Sequence, residues 1–78
     1  MDQYSFTIEI TGGILRDPNF EDLLYEAGCR DAMVVMSDGK VMLDFDRYAS
    51  SYESAVASAM RDLRNAGAEV GDATAIVD

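Results

Sequence analysis

Asp44 and Asp46 stand two residues apart in the alternating stretch KVMLDFDR, residues 40–47. Successive side chains of a strand point to opposite faces, so both carboxylates project from the same side. Glu9 joins them if the first strand runs alongside. Three carboxylates can ligate a hard cation such as Mg²⁺ or Ca²⁺. Two can divide acid and base work when their surroundings separate their pKa values. A dedicated cation site needs more converging oxygens, usually with a glycine-bearing loop, and a catalytic pair needs a pocket. Neither is apparent around these residues, so no catalytic residue, metal ligand or cofactor is assigned. Recognition is the remaining use: ordered carboxylates can face a cationic partner.

Other reactive groups are few. With no histidine in the chain, histidine-based zinc sites and imidazole acid–base catalysis are excluded. Cys29 is the single cysteine, so no internal disulfide can form. No cationic cluster surrounds it in sequence, and it reads as a small buried residue. Arg47 is expected to pair with Asp46 or Asp31 at a strand-to-helix corner. Gly12-Gly13 lacks the further glycines and the Lys-Ser/Thr of a phosphate loop.

Fifteen acidic residues against six basic ones give a net charge of −9 in 78 residues. That argues against direct contact with nucleic acid or an anionic membrane, both of which need a basic footprint. It suits a basic partner, or simply solubility. The opening MDQYSFTIEI has neither a basic stretch nor a long apolar run, so it reads as neither signal peptide nor membrane span. With the lone cysteine, the expected location is the cytoplasm.

Tyr4, Phe6, Ile8 and Ile10 alternate with Ser5, Thr7, Glu9 and Thr11, which predicts a half-buried strand. Asp17-Pro18 opens a short helix with Glu21 and Asp22 in its first turn, an apolar stripe of Phe20, Leu23, Leu24 and Ala27, and Gly28 as its stop. Asp38-Gly39 is a two-residue hairpin turn that pairs Ser37 with Lys40, Met36 with Val41, Val34 with Leu43 and Ala32 with Phe45. Met33, Val35, Met42, Asp44 and Asp46 then share the other face. Ser50-x-x-Glu53 forms a capping box before a long helix carrying Tyr52, Ala55, Val56, Ala59, Met60 and Leu63, with Gly67 at its end. Residues 68–78 supply a last strand, interrupted near Gly71 and Asp72. The order β-α-β-β-α-β predicts one α+β domain over residues 1–78: ferredoxin-like, a four-stranded antiparallel sheet with two helices on one face.

Two segments, LLYEAGCRDAMV and VMLDFDRYASSYESAVASAMRDLRNAG, resemble the N-terminal α/β domain of small bacterial helix-turn-helix regulator-like proteins. Members carry a Leu-Tyr-Glu-Ala-Gly-Cys element, matched at Leu24–Cys29. They also carry a Leu-Asp-Phe-Asp-Arg-Glu-Ala element, matched at Leu43–Ala49 with Tyr48 in place of Glu. The likeness covers roughly residues 20–70. The DNA-reading helix-turn-helix has no counterpart in these 78 residues, so DNA binding is not carried over. The resemblance implies a regulatory or dimerising role. By size and charge alone, the chain is also similar to small acidic phage inhibitors such as anti-CRISPR proteins, some of which imitate DNA.

The sheet face without helices places Met33, Val35 and Met42 beside Glu9, Asp44 and Asp46. Apolar side chains ringed by acids suit a protein contact, a homodimer seam or a solvated face. It lacks the aromatic and basic residues by which a sheet of this topology binds RNA. Asp17, Glu21, Asp22 and Glu26 form a second acidic group along the first helix, a second candidate partner-binding surface that can present charge to a Lys/Arg groove much as phosphates do; a solvated face favoured by the helix dipole is the plainer account. The expected function is therefore a non-enzymatic interaction module. It would occlude the basic nucleic-acid-binding surface of a protein partner, as a DNA mimic. A regulatory or dimerisation domain is the alternative, and it implies a homodimer.

Overall fold

Residues 1–76 of the chain are described by the computed structural model. The elements are β1 (Asp2–Gly13), a 3₁₀ turn (Ile14–Arg16), α1 (Phe20–Glu26), β2 (Ala32–Ser37), β3 (Lys40–Ala49), α2 (Tyr52–Asn65) and β4 (Ala68–Ala75). The strands form one antiparallel sheet in the order β2-β3-β1-β4. This is the ferredoxin-like arrangement expected from the pattern.

Alternation fixes which face is buried. Phe6, Ile8 and Ile10 of β1 and Leu43 and Phe45 of β3 are at most 4% exposed and pack under the helices. Phe6 and Phe45 are cross-strand partners whose rings stack at 5.3 Å. Above them α2 presents Ala55, Ala59 and Leu63, all fully buried. The two alanines keep this contact thin, so the helix backbone lies close to the sheet. Leu24 of α1 and Cys29 after it complete the core.

The hairpin has the predicted register, from Ser37–Lys40 to Ala32–Phe45. Asp38 and Gly39 both take positive φ, 52° and 76°, as a type I′ turn requires. Met36 shares the helix-side face yet is 71% exposed. The seven residues of α1 span only about 10 Å and leave the hairpin tip uncovered.

Three expectations change in detail. The cap of α2 is Ser51, whose hydroxyl accepts the Ser54 amide at 3.1 Å, and not Ser50 with Glu53. The frame is set by Tyr52, which packs edge-on against Phe6 and Tyr4. Asp17 does not cap α1. Its carboxylate accepts the Asn19 amide at 2.8 Å in a turn preceding the helix, and Asn19 holds the cap position. β4 is continuous from Ala68 to Ala75, and the interruption near Gly71 and Asp72 is a bulge against Ile8–Ile10 of β1. The stretch of the last strand expected over residues 77–78 lies outside the described residues.

Candidate interaction surface

On the helix-free face of the sheet, register sets the rows. Ser5 stands opposite Asp46, Thr7 opposite Asp44, and Glu9 opposite Met42. One strand further, Met33 pairs with Asp44 and Val35 with Met42. The Ser5 hydroxyl donates to Asp46 Oδ1, and the Thr7 hydroxyl donates to Asp44 Oδ1 at 2.8 Å. Each aspartate is thus held by a β1 hydroxyl. Among the described residues its second oxygen has no protein donor. The Glu9 carboxylate leans towards β4, with Oε1 3.5 Å from where a Gly71 Cβ would sit. Met33 is 63% exposed, while Val35 and Met42 are half-buried. The face is therefore an acidic field with an apolar margin toward β2. Among the described residues, no three Asp, Glu or Cys side chains converge closely enough to hold a metal ion.

The second acidic group lies elsewhere. Asp17, Glu21, Asp22 and Glu26 are exposed on and before α1, in the helical layer behind the sheet. The two groups do not merge into one patch.

Arg47 points away from the open face. It follows Leu43 and Phe45 on the helix side of β3, and its side chain is 12% exposed. Its Nε and Nη2 donate to Asp31 at 2.8 and 2.9 Å, a bidentate pair. Nη1 donates to Asp62 at 3.0 Å and to Ser58 at 3.1 Å, and Nη2 reaches the Gly28 carbonyl at 3.2 Å. All five N–H donors of the guanidinium are used. The expected partner Asp31 is present, and the alternative Asp46 is taken by Ser5 on the other face. Hydrogen bonding to Asp31, reinforced by Asp62, raises the Arg47 pKa further, against the effect of burial. Ser58 and Asp62 were not anticipated. Their signal is two polar residues four apart, interleaved with the buried Ala55, Ala59 and Leu63 of α2. This junction joins the end of α1, β3 and α2. It is a structural clasp and not an open site.

Cys29 is 4% exposed beside this clasp. Burial first, and then the Asp62 charge, push its thiol from 9.0 up to about 11, with Arg47 opposing. Unfolding returns the thiol to its ordinary value, so between pH 9 and 11 the unfolded chain binds fewer protons than the folded one. Stability contributed by the neutral thiol is complete below pH 9 and is lost as the pH rises through 11. We expect this loss to total about 2–3 kcal/mol. Urea titrations of the wild type and of Cys29→Ala from pH 8 upward check it, since tyrosine and lysine ionisation is common to both. Parallel curves would remove the assignment.

An edge feature went unread in the sequence. Between α1 and β2 runs a groove of about 390 Å³, lined mainly by Leu24, Tyr25, Cys29, Ala32, Val34 and Leu43. Arg30 lies at the same groove, its guanidinium 4.8 Å from the Tyr25 ring centre. Among the described residues, no helix is long and apolar enough to cross a membrane. No protein-family model, curated protein or solved structure matches the chain.

Proposed function

We propose that this protein is a non-enzymatic interaction module whose open sheet face docks onto a basic surface of a protein partner. The observation that carries this is the pair Asp44 and Asp46, each anchored by a β1 hydroxyl and each with an oxygen left for an outside donor. Ordering the acids before contact reduces the entropy lost on binding. Met33, Val35 and Met42 beside them supply apolar area that adapts to a partner's shape. The net charge of −9 steers the encounter toward cationic surfaces.

In its sharp form, the partner's basic surface is one that binds nucleic acid, and the module acts in the cytoplasm by occluding it as a DNA mimic, in the manner of an anti-CRISPR protein. Two carboxylates on alternate residues of a strand stand roughly 7 Å apart, close to the spacing of successive phosphates along a nucleic-acid strand. Capture of the tagged protein's partners from a bacterial lysate at low and high salt is the test, with Glu9→Gln/Asp44→Asn/Asp46→Asn alongside. A nucleic-acid-binding protein captured at low salt and lost in the triple variant is the expected result. Equal capture by the variant would remove this face from the account.

A second function has its own support. The uncovered edge of β2 beside a groove suits self-association, as in the dimerising or regulatory domain implied by the resemblance to helix-turn-helix regulator-like proteins.

A further inference from the structure

We propose that the free edge of β2 joins two copies of this chain across a two-fold axis at Val34, making one continuous sheet in which Met36 of each copy fills the α1–β2 groove of the other. The two edges of the sheet differ. β4 is bulged and carries Glu69 and Asp72, devices that discourage edge pairing. β2, Ala-Met-Val-Val-Met-Ser, has no charge, proline or register shift.

The hydrogen-bond phase follows from the hairpin. Ser37 and Lys40 flank a two-residue turn, so they form a mutually bonded pair, as do Val35–Met42 and Met33–Asp44. The Asp46 amide donating to the Asp31 carbonyl at 3.2 Å continues the same phase. Val34 and Met36 therefore turn their amides and carbonyls outward. The Ala32 carbonyl does the same, while its amide is taken by Cys29. In an antiparallel pair, outward groups must meet outward groups. Centring on Val34 achieves this, placing Met36 opposite Ala32 of the other copy and Met33 opposite its Val35.

Side chains then agree with backbone. Met36 is 71% exposed and lies on the helix side of the sheet, as the groove does. Ala32, the small residue it would face, lines that groove. The same register brings Asp38 at the hairpin tip level with Arg30 of the other copy, at both ends of the seam. One surface thus carries the knob, its hole and both members of an ion pair, the self-complementarity of a two-fold interface. A basic peptide fits less well, because β2 offers no acid and the groove is rimmed by both Arg30 and Glu21.

This inference does not depend on the basic partner. Asp44, Asp46 and Glu9 lie one or two strands inward and stay open in the pair. Light scattering on the intact chain, over a range of concentrations and at two ionic strengths, is the test. A dimer that tightens with added salt is expected, because two copies of charge −9 repel and salt screens them. Met36→Lys should weaken it by at least about tenfold, with an unchanged circular dichroism spectrum because this side chain is exposed. Exchange of the Val34 and Met36 amides should slow as concentration rises, while that of Met33 and Val35 does not change. A monomer up to millimolar concentration in high salt would overturn the inference. So would a dimer that Met36→Lys leaves intact with the Val34 and Met36 amides still exchanging freely.

Discussion

Arg47→Met should destabilise the domain by about 3 kcal/mol, the lower end of what breaking a buried ion pair costs. The lower end applies because Asp31 keeps 29% of its side-chain surface in water. The substitution leaves Asp31 and Asp62 facing each other without the cation. A domain of this length holds only about 4–12 kcal/mol in total, so the melting temperature should fall by roughly 15 °C. Arg47→Lys restores the charge but not the planar fork, and should recover less than half of the loss. Asp62→Asn should be milder, since the bidentate contact to Asp31 persists. Thermal melts of the three variants decide the matter. A loss below about 1 kcal/mol for Arg47→Met would place this cluster among ordinary surface ion pairs.

The clasp also shows where sequence reading reaches its limit. Asp31 could be nominated for Arg47 because hairpin register puts residues 31 and 46 at one level, and the Asp46–Asp31 backbone bond occurs there. Asp62 and Ser58 could not, because no local rule says which turn of α2 crosses the end of β3. The strands were readable because burial of one face imposes alternation, and Asp38-Gly39 then locked every pair of the hairpin. The helix start failed by one residue because Ser50 and Ser51 are equally good caps locally. Tertiary packing of Tyr52 on Phe6 chose between them. On the candidate face, period and register gave the membership of Glu9, Asp44, Asp46, Met33, Val35 and Met42. What anchors the aspartates depended on the β1–β3 register, which no turn sets, because a helix and a strand separate those elements. The α1–β2 groove had no signal in pattern at all, since it arises from how far a short helix extends over the sheet.

The Gly12-Gly13 pair, which lacks the marks of a phosphate loop, carries the last large effect. Gly13→Ala should cost about 3 kcal/mol or more, by adding a backbone clash to a strained conformation. Gly13 has φ 77°, and a Cβ there would lie 2.3 Å from the Gly67 carbonyl oxygen and 2.9 Å from the Glu69 nitrogen. These are backbone atoms where β4 begins, so relief requires β1 and β4 to part at the Gly13–Ala68 end of their ladder. Gly39 is the comparison: Gly13 combines φ 77° with ψ −116°, a region closed to side chains, whereas Gly39 sits in a type I′ turn. Its φ is 76°, and nothing lies within 4 Å of an added Cβ. Gly39→Ala should therefore cost only the left-handed conformation of a turn, about 1–2 kcal/mol. Urea denaturation of both variants reads the difference directly. Gly13→Ala should also speed amide exchange in β4 near Ala68 while leaving the hairpin protected. Equal losses for the two glycines would mean that β4 yields without cost, and that the close approach of Gly13 to Gly67 contributes nothing to closing the sheet.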